Sequence, residues 1–389
     1  MATLKFKDAS PYVQPIPKPP AEDYLQKTYE DSVALRSTRL NEKVLNVAIF
    51  GIGRAGSIHL SSLARNPRVK IIYIVDDIES KWKALKDYWS LHDATFLTSK
   101  QSSTVYKDPK VDVVVVASPT QTHEDIVVGS LKGKKAVFCE KPIAETLEES
   151  AACYEAAKAV GKPLFCAFNR RFDPCYSSVR QRVLNGEVGH IQTIKVCSRD
   201  SPLPTIPYLA SSGGIFHDCM VHDIDMLCWV TGEFPIKVAV QAHTHVPEIK
   251  AIDDFDTVAA TLHFPSGTLG MIDLSRNSNY GYDQRLEVFG PRGMIAAGNE
   301  QPVHSIQSQC GLDGIKSAPI WYSFPSRFRN AYQTEMEHFL DIVHGKAQSI
   351  VHYKESLAVT KIATACEESA RTGKMVDLKW TVDEFPERH

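Results

Sequence analysis

The feature that most restricts this chain is the hexapeptide Gly51-Ile52-Gly53-Arg54-Ala55-Gly56. It lies between an apolar run, Val44–Phe50, that reads as a strand and a segment, Gly56–Arg65, that reads as a helix. A glycine-rich strand-to-helix turn is the context a dinucleotide fingerprint requires. Gly51 permits the tight turn, Gly53 lets a pyrophosphate approach the backbone, and Gly56 lets helix and strand pack closely. The helix N-terminus offers free N–H groups and partial positive charge to phosphates. A second β-branched run, Lys70–Asp76, ends on an acid. The Asp76 carboxylate can accept from both ribose hydroxyls and repels a 2′-phosphate, which favours NAD over NADP. Asp77 adds a second acid, and Lys81 could reach a phosphate but reads as a solvated helix-face lysine.

The rhythm that follows fixes the fold class. Val113, Val114, Val115 and Val116 stand in succession within Val111–Ala117, as suits a parallel strand buried on both faces. Ala136–Cys139 reads as another strand, and Thr146–Val160 as a helix closed by Gly161. Such alternation predicts an α/β, doubly wound parallel sheet of the Rossmann type. After Phe168 the pattern changes. Phe172–Leu184 looks helical, and Ile191–Ser198, Ile236–His245, Thr257–Phe264, Thr268–Arg276, Arg285–Gly290 and Met294–Ala297 look like strands. Pro265-Ser266-Gly267 and Pro291-Arg292-Gly293 read as hairpin turns, so a mostly antiparallel sheet follows the parallel one. Asn330–Val343 and Glu355–Arg371 read as helices. Three segments result: a proline-rich arm at 1–43, a cofactor domain at 44–167 and an α+β domain at 168–380. Pro11, Pro15, Pro17, Pro19 and Pro20 favour an extended arm.

Composition excludes several classes. With 44 basic and 46 acidic residues there is no basic surface for nucleic acid. No apolar run reaches the roughly 20 residues a membrane span needs. The nine cysteines include no C-x-x-C pair and read as buried thiols, with neither disulfide nor zinc framework. The N-terminus lacks a signal h-region and is rich in acids, so the cytoplasm is expected.

Ligands of open parallel sheets sit beyond the carboxyl ends of the strands. Ser118-Pro119-Thr120-x-x-His123 occupies that position after the valine strand and should line the nicotinamide side. Glu140-Lys141-Pro142 occupies it after the next strand. A lysine there is either catalytic or an ordinary surface lysine.

These motifs, followed by Gly213-Gly214-x-x-x-Asp218-x-x-x-His222-Asp223, resemble the glucose-fructose oxidoreductase / inositol dehydrogenase family. The resemblance covers residues 44–375. Asn169-Arg170-Arg171-Phe172-Asp173 and Tyr280-Gly281-Tyr282-Asp283-Gln284-Arg285 look most like the myo-inositol 2-dehydrogenases within it. The family implies a Rossmann domain, then an α/β domain with an open-faced, mostly antiparallel sheet on which homodimers or homotetramers are built. It also implies that Gly51, Ile52, Gly53, Arg54, Ala55, Gly56, Asp76, Ser118, Pro119, Thr120, His123, Glu140 and Lys141 hold the cofactor.

By the same resemblance Lys141, Asp218 and His222 are the catalytic set. Alcohol oxidation needs a base for the hydroxyl proton and a hydride acceptor facing the carbinol carbon. His222 is the expected base. Asp218, four residues earlier, would share its face if the segment is helical, orient the imidazole and accept a hydroxyl. Lys141 would stabilise the developing alkoxide. Asn169, Arg170, Tyr280 and Tyr282 are candidate polyol contacts, although tyrosines in antiparallel sheets are as often core or interface. No metal is expected, and Cys219 reads as packing. The implied activity is NAD-dependent oxidation of a cyclic polyol, myo-inositol to its 2-keto product. The competing readings are another sugar or diol dehydrogenase, an NADP-linked reductase, or a cofactor-sensing regulator without catalysis.

Overall fold

An unbroken valine strand is stable only where helices cover both sides of its sheet. The computed structural model describes residues 42–303, 307–309, 312 and 314–385, and Val113–Val116 lie there at the sheet centre with no exposed surface. Expectations for residues 1–41 fall outside the described residues. Six parallel strands, β1 (Leu45–Phe50), β2 (Val69–Val75), β3 (Thr95–Leu97), β4 (Val113–Val116), β5 (Ala136–Glu140) and β6 (Leu164–Ala167), form one sheet in the order β3-β2-β1-β4-β5-β6. The order reverses between β1 and β4, which opens a crevice at their carboxyl ends.

Helices Arg54–Leu63, His123–Lys132 and Leu147–Val160 are among the crossovers. The last is capped by Thr146 and Glu149, each side chain bonding the other's backbone N–H. The first begins at Arg54, two residues before the predicted start. A Cβ on Gly56 would lie 1.9 Å from the Gly51 carbonyl oxygen, so only glycine permits this helix to sit so near β1.

The second sheet runs from β7 (Thr193–Arg199) through β8 (Lys237–His243), β9 (Thr257–His263), β10 (Leu269–Ser275), β11 (Asp283–Gly290) and β12 (Gly293–Ala297). Its order is β12-β11-β7-β10-β9-β8, and Val376–Asp377 adds an edge strand beyond β8. The β7–β10 pair is parallel and the others antiparallel, so the sheet is mixed. Ile194, Val196, Ile272, Leu274, Val258 and Leu262 point to one face, buried under helices Val221–Thr231 and Tyr353–Thr372. The other face is open.

Helix Arg329–Val343 returns from the C-terminal part to the first sheet. Its Phe339 ring meets Phe138 at 5.5 Å and Phe165 at 5.8 Å, and Tyr332 meets His59 at 5.8 Å. Buried Arg68 pairs with Glu337 and Asp341 of the same helix.

Candidate active site

At the first turn, the position a Gly53 side chain would fill has no heavy atom within 4 Å. That space lies before the N-terminus of helix Arg54–Leu63, where a phosphate fits. Asp76 is fixed at the end of β2: Oδ2 accepts the Ile52 N–H and Oδ1 the Ile78 N–H, both at 2.8 Å. Each oxygen keeps a lone pair for a ribose hydroxyl. These groups fit a dinucleotide.

Ile52 is buried, and Ala55 lies in the first turn of the helix. Arg54 reaches Ser323 Oγ (3.2 Å) and lies over the Phe324 ring. Pro119 and Thr120 follow Ser118 in the loop after β4, where the Ser118 hydroxyl bonds Thr122. His123 is buried, its ring nitrogens 2.8 and 2.9 Å from the carbonyl oxygens of Pro142 and Ser118. Burial lowers its pKa, and the ring braces the loops that follow β4 and β5. Glu140 accepts from His59 Nε2 at 2.7 Å. Burial pushes the Glu140 carboxyl up, but the His59 hydrogen bond together with the charges of His59, Lys141 and His123 outweighs it and holds the group below its ordinary value.

Lys141 leaves the end of β5 and points at the segment Phe216–Met220. Its ammonium donates to the Asp218 main-chain oxygen and to Asp218 Oδ1 at 3.1 Å. Burial alone would lower the lysine, yet its anionic neighbours, Asp218 above all and Glu140 with it, more than offset this and keep it charged. Asp218 also accepts from the Tyr208 hydroxyl at Oδ1 (2.9 Å) and from Arg276 Nη1 at Oδ2 (2.6 Å). Against the cost of burial, Lys141 and Arg276 hold this carboxyl well below the carboxylate range.

The expected link between Asp218 and His222 is not formed. Phe216–Met220 is a π-helical turn that leads into the α-helix at Val221. Its wider i→i+5 bonding moves Asp218 off the face that a spacing of four would share. Among the described residues no hydrogen bond joins the two side chains, and the Asp218 oxygens are taken by Lys141, Tyr208 and Arg276. His222 Nδ1 is buried without a partner, and its ring stands edge-on to Phe168. Burial first, then the Lys141 and Arg170 cations, push its pKa well below 6.5, with Asp218 opposing. The imidazole is therefore neutral and carries a free lone pair.

The polyol candidates divide. Arg170 is buried against Asp223 and Ser198, and Asp223 is pushed up to about 6 by burial. Tyr282 is buried against Phe324 and Phe328. The Arg170 cation acts on the His222 imidazole, and both side chains are held by protein partners. Asn169 is buried in the turn Asn169–Phe172 beside them. Tyr280 is 56% exposed and bonds Asp283 and Arg199 at the end of the open face. Cys219 donates to Asp200 and faces Arg276, and burial raises its thiol far above its ordinary value.

Sequence reasoning missed Tyr208, Arg276 and His59. One signal was present for Arg276: like Lys141, it is a cation ending a predicted buried strand.

Comparison with known proteins gives a consistent set of likenesses. Residues 45–168 match the oxidoreductase family with an NAD-binding Rossmann fold, and residues 176–296 match the GFO/IDH/MocA C-terminal domain. The chain is similar to a myo-inositol 2-dehydrogenase of Thermotoga maritima, 33% identical over 86% of this chain and 99% of the relative. It is similar to the NAD(+)-dependent scyllo-inositol 2-dehydrogenase of Bacillus subtilis, 31% identical over 87% and 97%. Its structure resembles that of a myo-inositol dehydrogenase from Corynebacterium glutamicum, with a TM-score of 0.79 and 32% identity over 87% of this chain and all of the other.

Proposed function

We propose, for a chain that belongs to the GFO/IDH/MocA oxidoreductase family, that its substrate is a cyclic polyol, myo-inositol, oxidised to the 2-keto product with NAD. The observation that carries this reading is the meeting of a charged Lys141, an ionised Asp218 and a neutral His222 at the carboxyl end of β5. Bound NAD supplies the hydride acceptor. Gly51, Gly53, Gly56 and Asp76 hold the cofactor, and Asp76 faces the position of the extra phosphate of NADP, which favours NAD. His222 takes the hydroxyl proton on its free lone pair. The Lys141 ammonium stabilises negative charge on the same oxygen. Asp218 Oδ1 accepts a hydroxyl of the substrate and keeps Lys141 in place. The scyllo-inositol relative makes the stereoisomer the point to test.

Assembly on the open sheet face belongs to the same proposal. That face carries a hollow of about 850 Å³ lined by Lys195, Arg199, Gln241, Met271, Asp273 and Glu287. Leu269, Phe289 and Met294 stand half exposed around it, as suits an interface between copies. NADH formation followed by absorbance, with inositol isomers, glucose and xylose and with both cofactors, tests the activity. Turnover on myo-inositol with NAD supports it; NAD binding without reduction by any polyol would favour a cofactor-sensing role instead.

A further inference from the structure

We propose that Arg276 is a positioning residue for this reaction: it acts through Asp218, fixing which carboxylate oxygen faces Lys141 and the substrate. The inference rests on the polyol dehydrogenase reading above.

Arg276 follows β10, and its side chain has no exposed surface. Its guanidinium forks between two carboxylates from separate parts of the chain. Nη1 donates to Asp218 Oδ2 at 2.6 Å and Nη2 to Asp254 Oδ2 at 3.2 Å. Asp254 is itself fixed, its Oδ1 accepting from the Ile215 N–H at 2.9 Å and the Phe255 N–H at 2.8 Å. The first of these bonds ties Asp254 to the corner at Gly213-Gly214, from which the Asp218 segment starts. Gly214 has φ +80°, and a Cβ there would stand 3.2 Å from Asp254 Oδ1. Gly214 therefore makes room for the carboxylate that anchors the arginine.

The consequence for Asp218 is geometric. Its Oδ2 is occupied by Arg276, while Oδ1 alone meets Lys141 and the Tyr208 hydroxyl. A carboxylate held by one end cannot swing its second oxygen toward the lysine. A planar five-donor fork suits this task, because an ammonium, a point charge with rotatable donors, would not fix the two acids in this geometry. The charges also balance, with Lys141 and Arg276 set against Asp218 and Asp254 in a buried cluster. Other groups lie around Asp218: Tyr208 bonds it from its short helix, Asp200 reaches it through Cys219, and His222 follows on the next helix, where the Arg170 cation acts on the imidazole. Among the described residues, the cations that bond it are Lys141 and Arg276.

The test is a kinetic cycle with Arg276→Gln, Arg276→Lys, Asp218→Asn and the double variant Arg276→Gln/Asp218→Asn, read across pH 5–9. Displacement of a reacting group costs about 100-fold in turnover, so kcat of Arg276→Gln should fall by about that factor. NAD affinity, measured by fluorescence titration, should change less than about 2-fold. The lost cation raises the Asp218 pKa, so a carboxylate step joins the His222 step and the acid limb of the pH profile moves to higher pH. In the Asp218→Asn background the Arg276→Gln change should cost less than about 3-fold, because its target is gone. Arg276→Lys keeps the charge and should leave the limb in place while lowering kcat; it carries the test if Arg276→Gln does not fold. Additive losses in the double variant, or an unmoved acid limb in Arg276→Gln beside one equally unmoved in Arg276→Lys, would overturn the proposal. A wild type that forms no NADH from any polyol would instead sink the functional reading.

Discussion

At the scale of single residues, His222 decides the pH behaviour. Its histidine pKa is lowered by burial and by Lys141 and Arg170, so the ring is already neutral at neutral pH. A base must be deprotonated to act, and lowering its pKa moves the activity loss toward acid. The profile of kcat/KM for oxidation should therefore be flat in this group from about pH 7 to 8 and fall only below the ordinary histidine value of about 6.5. Nitrogen-15 spectra of labelled histidine, compared with His222→Gln, would locate the titration directly. Lys141→Ala and His222→Ala should each lower kcat by about 100-fold or more, the usual scale for such groups. Calorimetry should find NAD binding retained, since Gly53 and Asp76 stay. Lys141, Asp218 and His222 stand at marked positions in the sequence, the end of a strand or the exit of a glycine pair, and the family resemblance singles them out there. The partners of Asp218 were not legible in this way. Arg276 lies 58 residues away and reaches Asp218 only through the register of the second sheet. The spacing of four between Asp218 and His222 suggested one helical face, and no local residue signals the π-turn that separates them.

At the scale of elements, the first glycine turn is the least tolerant part of the fold. Gly56→Ala places a methyl 1.9 Å from the Gly51 oxygen, and backbone cannot yield as a side chain does. Overpacking of this kind costs about 1–3 kcal/mol or more. Urea titration should show that loss, and NAD binding should weaken because the helix N-terminus is displaced. In the second sheet, Leu262→Ala on β9 removes a side chain with no exposed surface and should cost about 2–5 kcal/mol. The strands were legible by two signals. β4 shows an uninterrupted apolar run, and β7 and β9 alternate between inward apolar and outward polar residues. The three residues of β3 and the two of Val376–Asp377 are too short to carry either. Pairing is also invisible to periodicity, so the parallel contact of β7 with β10 could not be read from an alternation that both orientations share.

For the whole molecule, the open face offers the plainest test. Met271 lines its hollow on β10, and Met271→Asp should break an assembly built there while leaving the fold intact. Sedimentation velocity should then show a monomer, with unchanged circular dichroism. Helix Arg329–Val343 has a different consequence, one of timing. The six parallel strands are complete once residue 167 is made, yet Phe138, Phe165 and Arg68 are covered by a helix that ends at residue 343. At about 5–20 residues per second, the ribosome needs roughly 10–35 s to deliver it. Throughout that interval the nascent N-terminal half shows an aromatic patch and an arginine that still lacks Glu337 and Asp341, and folding factors that bind nascent chains have their substrate there.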